Sequence, residues 1–322
     1  MTLDPQFAHW LEEAAANAPD VSGLSVQERR RIADRGNLAL QTDPAEYSVA
    51  DVEERRFKCD GHEIGVRIYH PTVHGTRSTR PVTVFYHGGG FVTGSVETYD
   101  VICRALCRAS KSILVSVDYR LAPEHPFPAA AEDALAALRF VGDNAGSFGG
   151  DATRIALAGD SAGGQLAALT ALRARDEGGP AVMGQCLLYP QLDASPQGLA
   201  SLERFAEGHG YTRAMRDWYL SQYLVDDEAR DHPFNTLLSR HDLAGVAPAL
   251  VLTAEYDPVG DEGVRYAERL AAQGVTVRHS RYFGMIHAFV RRLGQHRQAD
   301  QAIEECGAWL RTALSPGSGS AG

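Results

Sequence analysis

The segment Arg154-Ile-Ala-Leu-Ala-Gly-Asp-Ser-Ala-Gly-Gly164 constrains this chain more than any other. A short apolar run enters it, a single serine sits among Gly159, Gly163 and Gly164, and a helical pattern leaves it. A strand that turns this tightly into a helix leaves no room for Cβ atoms beside the serine, which is why glycines flank it. Such a turn lifts Ser161 above the end of a sheet. The amide of Ala162 then points into the same space from a helix N-terminus, where free N–H groups and the helix dipole favour negative charge. Ser161 is a candidate nucleophile; the plain alternative is a Gly-Ser-rich β-to-α turn without chemistry.

Around this turn, apolar runs alternate with helical patterns, the signature of βαβ units and a mostly parallel sheet flanked by helices. Strands are expected at residues 82–86, 113–117, 155–158, 185–189, 249–253 and 275–282. Helices are expected at 98–109, 129–144, 163–175, 259–273 and 298–314. Ahead of them, residues 49–57 and 64–69 alternate apolar and polar about Asp60-Gly61, which predicts an antiparallel pair at the sheet edge. Residues 1–45 read as amphipathic helix, with Glu28-Arg29-Arg30-Arg31 as a solvated face, and residues 72–80 as a loop. Residues 191–243 interrupt the alternation with helical stretches and many aromatics, the pattern of a lid. Residues 315–322 are small and polar, the composition of a disordered tail. The expected organisation is one α/β core, residues 46–190 and 244–314, with attachments at 1–45 and 191–243.

The segment His87-Gly88-Gly89-Gly90-Phe91 follows the apolar run at 82–86. Successive glycines open backbone conformations closed to other residues, and their N–H groups can donate to a developing oxyanion. A phosphate loop is the rival, but neither G-x-x-x-x-G-K-[ST] nor G-x-G-x-x-G at a helix start is present.

Composition removes other classes. The chain of 322 residues carries 41 acidic against 31 basic side chains, a net charge of −10. That balance opposes binding to nucleic acid and to anionic lipid. No apolar run approaches the roughly 20 residues of a membrane span, and residues 1–10 lack the pattern of a secretory signal, so a cytoplasmic location is expected. The five cysteines are scattered without metal spacing, and Cys103 and Cys107, at i and i+4 of a helix, read as core packing. No metal or cofactor is called for.

Together, HGGGF, GDSAGG and the stretch Asp118-Tyr-Arg-Leu-Ala-Pro-Glu-His-Pro-Phe-Pro-Ala-Ala130 make the chain similar to the hormone-sensitive-lipase-like α/β-hydrolases, in their bacterial GDSAG form. The likeness runs over residues 82–289, with gaps across the lid. It implies an α/β-hydrolase fold whose N-terminal helices and insertion form a cap, ester hydrolysis on short or medium acyl chains without a cofactor, and pairing into dimers through the outer sheet edge and last helix.

A serine hydroxyl needs a base to take its proton and an acid to orient that base. In this fold they follow the serine in the order acid, then histidine, each after a strand. Asp257 stands after the strand at 249–253, just before Pro258. Glu255, Asp261 and Glu262 compete, the last two reading as acids of the next helix's first turn; the resemblance to D-P-x-x-D-E also selects Asp257. Among twelve histidines, His287 follows the strand at 275–282 and matches the family's histidine segment. His279 lies within that strand, and His87 precedes Ser161, the wrong order for a base. The expected machinery is Ser161, His287 and Asp257, with Gly88, Gly89 and Ala162 holding the oxyanion. Asp160 is expected to brace the turn or neighbouring loops by hydrogen bonds, and Phe91, Phe205, Tyr211, Trp218 and Tyr219 to line the pocket of a small-molecule ester. An amidase or formamidase would use the same three residues, and a non-catalytic ligand-binding module would use the fold without the histidine.

Overall fold

Val82, Val84 and Tyr86 face one side of their strand and Phe85 the other, and all four are fully buried. That is a strand at the centre of a sheet covered on both faces. The computed structural model describes residues 2–72, 79–195 and 199–316. Its strands are β1 (Asp51–Cys59), β2 (His62–His70), β3 (Arg80–Tyr86), β4 (Ile113–Asp118), β5 (Gly150–Asp160), β6 (Val182–Leu188), β7 (Ala249–Tyr256) and β8 (Val277–Ile286). They form one sheet in the order β1-β2-β4-β3-β5-β6-β7-β8. The pairs β1–β2 and β2–β4 are antiparallel and the rest are parallel. Cys59 pairs with His62 across Asp60 and Gly61, both at positive φ, as a two-residue hairpin requires.

Ten helices are described: α1 (Pro5–Ala16), α2 (Val26–Leu40), α3 (Asp100–Ser110), α4 (Ala129–Asn144), α5 (Ala162–Asp176), α6 (Ala200–Arg204), α7 (Arg213–Tyr223), α8 (Asp227–Asp231), α9 (Gly260–Ala272) and α10 (Arg297–Ala313). Side chains of α4, α5 and α9 complete the core on one face of the sheet; those of α3 and α10 complete it on the other. The fold is the expected α/β-hydrolase arrangement. Cys103 and Cys107 are buried packing residues of α3, and Cys107 directs its thiol to the carbonyls of Tyr69 and Ser112. No described helix is long and apolar enough to cross a membrane.

Residues 191–243 carry α6, α7 and α8 between β6 and β7. At the other attachment, the charged run on α2 is not the solvated face expected of it. Glu28 closes a capping box with Ser25 at the helix start. Arg30 donates to the carbonyls of Val92 at 2.7 Å and Ala122 at 2.9 Å and pairs with Glu124 at 2.7 Å. The Arg29 guanidinium lies over the Trp218 ring, and of the three arginines only Arg31 is exposed. A run of charges looks solvated in sequence because the backbone carbonyls that receive it lie far along the chain. Residues 73–78 of the expected loop and 317–322 of the expected tail lie outside the described residues.

Candidate active site

β5 ends at Asp160 and α5 begins at Ala162, so Ser161 alone makes the reversal, at φ +53° and ψ −120°. Its amide donates to Leu188 O at 2.9 Å and its carbonyl accepts from Gln191 N at 3.1 Å, which pins the turn to the end of β6. The flanking glycines are sterically required. A Cβ on Gly159 would lie 2.2 Å from Gly163 O, and one on Gly163 would lie 2.0 Å from Tyr86 O.

The loops after β7 and β8 bring the two other expected residues to this turn. His287 Nε2 lies 2.9 Å from Ser161 Oγ, and its Nδ1 lies 2.7 Å from Asp257 Oδ2. Asp257 is fully buried, and its Oδ1 accepts from Val259 N at 2.9 Å, leaving Oδ2 for the histidine. With the carboxylate accepting at Nδ1, Nε2 is left unprotonated toward the serine. Tyr211 stacks on the imidazole at 4.5 Å between centroids, and its hydroxyl donates to Gln191 Oε1 at 3.0 Å.

The competing groups have other partners. Glu255 accepts from Gly284 N and Asp261 from Ser201 N. Glu262 is buried and accepts from the amides of Leu192 and Asp193; burial pushes its carboxyl up to about 7, against the pull of Arg216. It is a clamp on the chain leaving β6, more than a first-turn acid. His279 bonds Thr253 at 2.9 Å. His87 is buried, its pKa held down to about 4 by desolvation, so the neutral ring donates from Nδ1 to Gly88 O. Its ring stacks on Tyr119.

The glycine loop corrects one expectation. The Gly88 amide donates to Asp160 Oδ1 at 2.7 Å and is therefore consumed. The Gly89 and Gly90 amides donate to no acceptor among the described residues, and both residues wall the cavity that holds Ser161. The loop donors facing that cavity are thus Gly89 and Gly90, and the expected third donor, Ala162, stands at the start of α5 directly after Ser161. Asp160 braces the loop as expected; its second oxygen accepts from the Tyr99 hydroxyl at 3.0 Å.

The cavity has a volume of about 350 Å³. Phe7, Trp10 and Leu11 of α1 and Asn37 and Leu40 of α2 form one wall; Tyr211, Met215 and Tyr219 form another. Of the five expected lining residues, only Tyr211 and Tyr219 are there. Phe91 is buried against Tyr223 at 4.0 Å, Phe205 packs on Tyr256 and His209, and Trp218 lies beneath Arg29. Aromatic residues pack as readily as they line, and the sequence carries no mark of which they do. The α1 wall was missed as individual residues, although Phe7 and Trp10 lie three apart on an amphipathic helix, the spacing of one face.

The model for the α/β-hydrolase fold matches residues 83–291. The chain is 44% identical over 292 residues to carboxylesterase NlhH of Mycobacterium tuberculosis, covering 89% of each. It is 34% identical over 316 residues to an arylesterase of Saccharolobus solfataricus, covering 97% of this chain and 99% of that protein. The solved structure of a hyperthermophilic esterase from Pyrobaculum calidifontis superposes with a TM-score of 0.92 at 38% identity, over 98% of this chain and all of that one. A single parallel-centred sheet with its serine turn, and relatives of this closeness, define an α/β-hydrolase. The chain belongs to the hormone-sensitive-lipase-like family of that fold.

Proposed function

We propose that this protein is a serine carboxylesterase that hydrolyses short- to medium-chain esters through an acyl-enzyme. The observation that carries the reading is His287, held between Asp257 Oδ2 at 2.7 Å and Ser161 Oγ at 2.9 Å. Ser161 Oγ bonds to the ester carbonyl carbon as its proton passes to His287 Nε2. The carbonyl oxygen becomes an oxyanion, received by the amides of Gly89, Gly90 and Ala162, each such donor being worth about 3 kcal/mol of barrier. Collapse breaks the bond to the alkoxy oxygen, which takes the proton from Nε2 and leaves as alcohol. Water then attacks the acyl-enzyme by the same route, giving the acid and regenerating Ser161. The Asp257 carboxylate stays ionised, fixing the ring and balancing the imidazolium. A cavity of about 350 Å³ suits small esters, and the esterase names of the relatives agree with the class.

A fluorophosphonate probe is expected to label the protein once, at Ser161, and p-nitrophenyl esters of increasing chain length to be hydrolysed faster than matched anilides. Labelling that persists in Ser161→Ala, or anilides turned over faster than esters, would overturn the reading.

A further inference from the structure

Two guanidinium groups, Arg291 and Arg292, reach the cavity wall from the 3₁₀ turn Phe289–Arg292 that follows His287. Their surroundings differ. Arg291 lies over the Tyr99 ring at 4.3 Å and offsets the charge of buried Asp160. Arg292 is centred 3.9 Å over Trp10 and donates from Nη1 to Gln295 Oε1 at 3.1 Å. Among the described residues, no carboxylate forms an ion pair with it. The acid that acts on it most, Glu13, lies beyond that range, beside His9. The remaining donors of the Arg292 fork have no protein acceptor among the described residues. The cavity wall offers no competing anion, since its one carboxylate is Asp160, already bonded to Gly88 and Tyr99.

A half-buried guanidinium with open donors beside an apolar wall is a site for a planar anion, because the fork matches a carboxylate and reduced solvation strengthens the pair. Trp10, beneath the face of the guanidinium, holds the planar group in place. We infer that Arg292 is a specificity residue that selects esters whose acyl or alcohol arm ends in a free carboxylate, such as half-esters of dicarboxylic acids. The acid end would rest on Arg292 while the ester carbonyl sits at Ser161. The inference rests on the esterase reading above and adds recognition only; the bonds made and broken are the same.

The test compares kcat/KM for mono-p-nitrophenyl succinate, glutarate and adipate with their methyl-capped neutral isosteres. A second series places the acid on the alcohol arm, 4-acetoxybenzoic acid against its methyl ester. The readout is the ratio of acid to neutral substrate within each enzyme, which is independent of how much protein folds. In the wild type, one series is expected to favour the acid form at its best length. In Arg292→Met, which keeps an apolar stem over Trp10, that ratio is expected to fall at least tenfold, and Arg292→Lys to fall between. Ratios that match within threefold between wild type and Arg292→Met in both series overturn the inference while leaving the esterase reading intact. Absence of Ser161-dependent hydrolysis of every ester overturns both.

Discussion

The amide of Gly88 and the carboxylate of Asp160 meet at 2.7 Å although 72 positions separate them. Gly88 lies in the loop after β3 and Asp160 is the last residue of β5, so one bond sets the donor loop against the serine turn. Asp160→Ala leaves the Gly88 amide and the Tyr99 hydroxyl buried without an acceptor, each costing about 1 to 3 kcal/mol. The variant is expected to lose about 3 kcal/mol in urea unfolding, and kcat is expected to fall about tenfold with less change in KM. Unaltered stability would show that the loop holds itself.

Ser161, His287 and Asp257 are expected to behave as a unit. Ser161→Ala and His287→Ala should each lower kcat by about 10⁶, the double variant no further, and Asp257→Asn by about 10⁴. Additive losses in single-turnover kinetics would contradict a shared proton path.

Gly90 is set by a neighbour as well as by its backbone. It sits at φ +61°, and a Cβ there would lie 2.4 Å from Cγ of Tyr219. Gly90→Ala should therefore lower kcat/KM by about 10², the worth of one misplaced donor. In Gly90→Ala/Tyr219→Ala the ring is gone while the approach to Cβ of residue 219, 2.8 Å, and the backbone penalty, about 1 kcal/mol, both stay, so part of the loss should return. A double variant no better than Gly90→Ala would show that the ring itself is not the cause.

Glu262 has its carboxyl raised to about 7 by burial, against an ordinary value of 4.5. Between those values the folded protein holds a proton that the unfolded chain releases. The contribution of Glu262 to stability is therefore complete below about pH 4.5 and lost as pH rises through about 7. Glu262→Gln still offers an acceptor to Leu192 and Asp193 but does not titrate. Its Tm relative to wild type should climb between pH 4.5 and 7 and level off above; a constant difference across that window would contradict the raised value.

The local parts of this protein were legible because their causes are local. A serine among glycines, a triple glycine after an apolar run, and Asp60-Gly61 between alternating segments each state their geometry within a few residues. The helix expected at 129–144 is α4 with the same ends, since its apolar spacing and the prolines before it are self-contained. What escaped depends on distant partners. Nothing near Gly88 says that its amide is taken by Asp160 and that Gly90 faces the cavity instead. Nothing near Arg30 reveals the carbonyls of Val92 and Ala122. Phe91, Phe205 and Trp218 are no less aromatic than Tyr211 and Tyr219; only tertiary placement separates packing from lining.

Ser161 occupies a backbone conformation, φ +53° and ψ −120°, that costs an ordinary L-residue about 1 to 3 kcal/mol and costs glycine far less. The chain thus keeps a side chain where its own folding would be better served without one. Ser161→Gly should melt at a higher temperature than the wild type and do no chemistry, so heat resistance and turnover are opposed at this residue. Screening variants of this protein for thermal tolerance alone would favour loss of the hydroxyl, and any such search has to be run with an activity readout beside it.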